Sequence, residues 1–176
     1  MTKLIRRKNR NLQWLAIAIM MMFANACSNG KIPTMSQKTL WEMISVLEAQ
    51  MPLSKAGIEK SLGTELLEIK RNENFIQLSG AGPTLKDGVV ISKLHLMLEA
   101  SMKFGDKGAF AMEMEGTCLS LKDVQQRFTS LELTQHPRGH SLQETTVWST
   151  KRPWGNLSFA FKEERPDCLF RVSFRK

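Results

Sequence analysis

The side chains able to do chemistry in this chain are few: three histidines, a close pair of glutamates, one glycine-rich loop and three cysteines. His136 and His140 stand four apart. On a helix that spacing would aim both rings at one metal ion. Pro137 and Gly139 lie between them, so the segment reads as a loop, and no third ligand is evident. Neither a metal nor any other cofactor is expected. Glu113 and Glu115 are two apart and share a strand face, which could serve as an acid–base pair. A half-buried strand also shows such residues simply as its wet face, and that is the reading adopted. Ser79-Gly80-Ala81-Gly82-Pro83 has the glycines of a phosphate loop. Lys86-Asp87-Gly88 continues it as a turn, without the helix N-terminus such loops need. With no GxSxG, no HExxH and no supported Cys–His dyad, no catalytic residue is expected and the chain reads as a non-enzyme.

The cysteines carry more information. Cys27 follows Ala24-Asn25-Ala26, a basic head (Lys3, Arg6, Arg7, Lys8, Arg10) and a mostly apolar run over 12–23. That run suits an export signal and is short for a membrane span. Two cuts fit. The small-x-small pattern of Ala24 to Ala26 is that of ordinary signal-peptide cleavage. With Cys27 it also resembles a bacterial lipobox, in which the thiol is acylated, palmitate included, and becomes the new N-terminus. Asn25 and Ala24 depart from the usual residues of that motif. Lipidation of Cys27 would leave Cys118 and Cys168 as a pair, whereas three free cysteines would leave an odd thiol in an oxidising compartment. By resemblance to Gram-negative lipoproteins, Ser28 after the cysteine implies an outer-membrane lipoprotein facing the periplasm. The expected organisation is a signal peptide over 1–26, a lipidated tether over 27–35, a first α+β repeat with an extra N-terminal helix over 36–117, and a second over 118–176.

The formal charge of +8 invites a nucleic-acid reading. Residues 1–26 hold 5 of the 25 Lys and Arg and none of the 17 Asp and Glu. The remaining balance, 20 against 17, is an ordinary surface charge, so no nucleic-acid partner is expected.

Elements follow from periodicity. Residues 36–51 place Leu40, Ile44, Leu47 and Met51 on one helical stripe, and Pro52 stops it. Leu53-Ser54 supplies a staple and an N-cap for a second helix carrying Ile58 and Leu62. Period-two strands follow: 75–78; then Val90, Ser92, Leu94, Leu96 and Leu98 on one face, with His95 on the other; then Phe110, Met112 and Met114 inward. At an offset of 66 residues, Leu119-Ser120, Val124 and Phe128 repeat Leu53-Ser54, Ile58 and Leu62. Ser120 and Asp123 make a capping box. Strands are expected again over 142–149, at Leu157, Phe159 and Phe161, and at Phe170, Val172 and Phe174. The expected fold is α+β: tandem duplicated helix-plus-antiparallel-sheet units of three to four strands, forming one curved sheet with helices on one face. A bridge between Cys118 and Cys168 would pin the second helix to the last strand.

Those paired units resemble the beta-lactamase-inhibitor-protein fold, and the single unit resembles the small outer-membrane assembly lipoproteins of the SmpA/OmlA type. The resemblance covers most of residues 50–176. It implies a concave sheet that grips another protein, with helices behind it, and carries over no catalytic residue. Trp148 and Trp154 flank Lys151-Arg152-Pro153 at an expected hairpin tip. Arg171 and Arg175 stand in the second unit where Glu113 and Glu115 stand in the first. Aromatics with arginine are the composition of binding hot spots, so these seven residues are the expected contact set. The expected partner is a protein: a toxin or envelope enzyme that the chain inhibits, or a subunit of an outer-membrane assembly or secretion complex that it supports. The membrane is the other partner, through the lipid. Cys27→Ser is expected to move the protein from the membrane to the soluble fraction. A variant that still pellets with membranes would sink the lipid-anchor reading.

Overall fold

A computed structural model describes residues 35–176. The expected signal segment, Cys27 and nearly all of the tether lie outside the described residues. The described part is α+β: three helices and one open, eight-stranded antiparallel sheet.

Helix α1 spans Leu40–Glu48. Thr39 caps it in a full capping box with Glu42, and Asp87 from a distant turn accepts from the Leu40 N–H at 2.8 Å. Four otherwise orphaned N–H groups at a helix start need such acceptors. Its buried stripe is Leu40, Met43, Ile44 and Leu47. Helix α2 spans Lys55–Leu62, capped by Ser54 and closed by Gly63 at φ 62°, a left-handed conformation that suits glycine. Helix α3 spans Leu121–Arg127, with Ser120 and Asp123 in the expected capping box. Phe128 lies just past its end as an extended C-cap, rather than continuing the helix as Leu62 does in α2.

The strands are β1 (Leu67–Arg71), β2 (Phe75–Gly80), β3 (Val89–Glu99), β4 (Ala109–Gly116), β5 (Glu132–Gln135), β6 (Thr145–Arg152), β7 (Gly155–Lys162) and β8 (Leu169–Arg175). Their order across the sheet is β1-β2-β3-β4-β8-β7-β6-β5. Each run of four is a meander from one edge inwards, and the two meanders meet at β4–β8. Alternation aims Ile76, Leu78, Leu94, Leu96, Leu98, Phe110, Met112, Leu157, Phe159, Val172 and Phe174 at one side. There they form one core with Ile58, Val124 and the α1 stripe. Phe128 stacks on Phe159 at 4.8 Å and meets Trp41 of α1 at 6.2 Å, tying two helices to the same sheet face.

Several expectations need correction. Strands β1 and β5 were not expected; every residue in them is exposed, so neither has the apolar alternation that marks a strand. The strand expected over 142–149 runs instead over Thr145–Arg152, and Leu142 is an exposed loop residue. Two bulges break the expected faces. Between Ile91 and Lys93 the β3–β4 register shifts, so Val89 and Ile91, not Val90 and Ser92, share the core face with Leu94. Between Ala160 and Phe161 the β7–β8 register shifts, so Leu169 is buried and Phe170 is displaced from the core.

The Cys118–Cys168 disulfide is present, with Cα atoms 4.9 Å apart and 50 residues between them. It joins the segment before α3 to the start of β8, beside a backbone bond from Leu169 N–H to the Leu119 carbonyl at 2.7 Å. Closing a loop of that length restricts the unfolded chain by about 4 kcal/mol in the chain-entropy model. The paired replacement Cys118→Ser/Cys168→Ser is expected to lower unfolding free energy by about that amount in denaturant titration. A loss below about 1 kcal/mol would mean that the bridge does not brace the fold.

Candidate functional site

All three helices bury their apolar stripes in the core on one side of the sheet. Among the described residues the other face carries no helix. Its rows can be read from the register. One crosses Ser79, His95, Ala111, Ser173, Ser158 and Ser149. A second crosses Gln77, Met97, Ala109, Arg175, Asn156 and Lys151. A third crosses Lys93, Glu113, Arg171, Ala160 and Val147. Small side chains therefore occupy much of β4, β7 and β8, and longer ones stand around them. The result is a groove of about 280 Å³, with Ile69 and Met97 towards one side and Arg171 and Arg175 towards the other. Hydroxyls tie the floor beyond it: Ser149 Oγ lies 2.8 Å from both Ser158 Oγ and Thr134 Oγ1.

The central charges form a chain across three strands. Arg171 Nη2 donates to Glu113 Oε1 at 2.6 Å, and His95 Nε2 lies 3.6 Å from the same oxygen. Burial pushes the His95 pKa below its ordinary value of 6.5. Glu113 opposes that shift, while Lys93 and Arg171 reinforce it. The imidazole is thus held neutral beside an ion pair that is already complete. Phe170, displaced by the bulge, lies under two cations: Lys162 Nζ is 3.9 Å and Arg171 Cζ 5.0 Å from its ring centroid.

The seven expected contact residues separate. Glu113, Arg171 and Arg175 are on the open face, with Glu113 and Arg171 directly paired. Glu115 is exposed at the outer end of β4, opposite Val90. Arg175 lines the groove, and its guanidinium makes no hydrogen bond or ion pair among the described residues. Trp148, Arg152 and Trp154 belong to the helix side. The tip is a hairpin as expected, but Trp148 and Arg152 share the strand face of Thr150, whose neighbour is buried Leu157. Arg152 Nε sits 2.9 Å from Glu48 of α1, with its Cζ 5.2 Å above the Phe128 ring. Trp154 stacks on core Phe174 at 5.7 Å. These three brace the fold.

Sequence reasoning missed Ile69, Lys162 and Phe170. Ile69 sits on an edge strand with no pattern to reveal it. Phe170 is placed by a bulge opposite it, in β7. The other chemistry is placed as plain structure. His136 and His140 flank a loop whose Arg138 and Gly139 N–H groups donate to Glu144. Gly80 ends β2, so the glycine loop starts later than its sequence implies. Among the described residues no group of three His, Cys, Asp or Glu could hold a metal, and no helix is long and apolar enough to cross a membrane.

His95 gives the site a pH signature. Its folded pKa lies below its unfolded one, so the unfolded chain gains the proton first as pH falls. Its contribution is complete above about pH 6.5 and is lost as pH falls towards the lowered folded value. Glu59 and Asp123, held low by hydrogen bonds from Leu66 and Ser120, act only below about pH 4.5. Stability is expected to fall between about pH 7 and 5 in denaturant titration, and less so in His95→Gln. Equal slopes for both proteins would refute the neutral-histidine account. Comparison with protein-family models, with curated proteins and with solved structures yields no match.

Proposed function

We propose that this chain is an exported, lipid-anchored envelope protein that binds and blocks a protein partner in the periplasm. The observation that carries this reading is the uncovered sheet face. Eight strands hold one face in the core and leave the other, among the described residues, free of helices, with a groove at its centre. A soluble sheet can leave one face wet. Here the face combines an apolar edge, arginines and a partly ordered aromatic, which is the mixture found at binding surfaces. The braced construction agrees with a rigid binder, since preorganised surfaces lose less freedom on association. The residues in place offer no nucleophile–base pair, so a non-catalytic role is the simpler account.

The tandem duplication belongs to this proposal. Ser54 and Ser120 both cap helices, Ile58 and Val124 are both fully buried, and four strands follow each helix. At the centre Met112 pairs with Val172, its counterpart in the aligned strand sequences, as a local two-fold axis through that pair would require. That arrangement supports the resemblance to the inhibitor-protein fold and its gripping, curved face.

A second reading, an accessory subunit of an outer-membrane assembly or secretion complex, draws on the β1 edge. Leu67 and Ile69 are 61% and 60% exposed on a strand with one unpaired side, a feature suited to strand addition by a larger machine.

The test is affinity capture by the full chain from envelope extract, with mass identification and an activity assay of the partner. A stoichiometric exported enzyme or toxin that loses activity on binding is the expected result. Capture of a membrane machine whose function requires the chain would replace inhibition by the accessory role. Turnover of a substrate by the chain itself would overturn both.

A further inference from the structure

We infer that the groove on the open face seats an acidic, extended segment of the partner protein, with a bulky apolar residue set against Ile69 and Met97. This rests on the partner-binding reading and adds the chemistry of the occupant.

Charge decides it. Strands β6, β7 and β8 contain five Lys and Arg and no Asp or Glu. One of the five, Arg152, is used on the helix side by Glu48. The other four, Lys151, Lys162, Arg171 and Arg175, sit on or beside the open face. Only Arg171 has a carboxylate, Glu113, and its enclosed Nε still has no acceptor among the described residues. Arg175 and Lys151 lie in one row on either side of Asn156 and have no anionic partner among the described residues. The nearest loop acids are occupied or remote: Asp106 is bridged by Lys176 at 3.1 Å, and Glu163 and Glu164 are at the opposite end of β7. An unneutralised cationic row beside a groove attracts anions and repels cations over about a Debye length.

Shape narrows the class. Ala109, Ala111 and Ser173 keep the floor low, so a backbone can lie across β4 and β8. The wall opposite the arginines is aliphatic, and a purely anionic ligand would leave it unused. A peptide that alternates acidic and apolar side chains meets both walls at the two-residue period of a strand. The chain's own basic head, with five cations and no acid over 1–26, has the wrong sign to occupy it.

The probe is a capped hexapeptide of Glu alternating with Leu and Phe, titrated into the ¹⁵N-labelled, disulfide-bonded full chain, alongside the same peptide with Lys for Glu. Expected are saturable shifts at the amides of Ala109, Ala111 and Ser173, weakened about tenfold by Arg175→Glu/Lys151→Glu and also by raised salt. Ile69→Asp, at an exposed position, is expected to weaken binding without altering the spectrum of the core. Equal binding of the Lys peptide, shifts confined to the helix side, or unchanged affinity in both variants would overturn the inference. So would shifts produced by anionic phosphatidylglycerol vesicles but not by the peptide. The two levels separate cleanly. A partner held equally well by wild type and Arg175→Glu/Lys151→Glu would keep the binding reading and sink this groove. Peptide binding as described, with no protein captured, would keep the groove's chemistry and sink the inhibitor role.

Discussion

The pairing of β4 with β8 is the contact on which the rest of the molecule depends. Each meander alone would be a four-stranded sheet with an exposed inner edge, and such edges invite misassociation. Pairing removes both edges at once and makes one core from two thin ones. The seam is also the best-buried part of the sheet: Met112 faces Val172 and Phe110 faces Phe174, all with no measurable exposure. The rings of Phe110 and Phe174 are 5.8 Å apart, within the range where aromatic pairs add to simple burial. On the opposite surface of the same two strands lie Glu113 and Arg171. The groove and the core are therefore two sides of one ladder. Any change that slips its register by a residue would exchange them.

This dependence explains what was legible in the amino-acid order. Ser54, Ser120, Asp123, Ile58 and Val124 were readable because caps and buried stripes act within a turn or two of helix. Phe110, Met112 and Met114 were readable because alternation is local. The Cys118–Cys168 pair followed from counting. Phe170 and Val90 were misplaced because a bulge belongs to a pair of strands and is not written in either alone. β1 and β5 were invisible for a related reason. As edge strands with both faces wet, they gain order from backbone pairing to β2 and β6, which leaves no side-chain pattern.

The candidate site divides along the same line. Glu113, Glu115, Arg171 and Arg175 were found because charges on an alternating strand must point away from the core. What the order could not give was their company. The equivalence of Glu113 and Arg171 in the two units looked like a contrast between two surfaces. In three dimensions it is a hydrogen-bonded pair at 2.6 Å, because antiparallel pairing at the centre sets one unit's residue against the other's. A charge difference between units thus becomes a bond between them, and Arg175, two residues further along, passes beyond the reach of Glu115.

Arginine shows how parity assigns roles to one side chain. Arg152 and Arg171 are both on strands, both near a glutamate and both beside a phenylalanine. Arg152 falls on the helix side, where Glu48 and Phe128 hold it between α1 and the sheet. Arg171 falls on the open side, where Glu113 and Phe170 hold it at the rim of a groove. A buried pair must find its partners within the fold, because an uncompensated buried charge is costly. An arginine at a wet rim has no such obligation. It can keep one side for Glu113 and offer the rest of its guanidinium outward, at little cost while water serves as acceptor. The same sequence element therefore stabilises on one face and recruits on the other, and the fold decides which by the pleat of a strand.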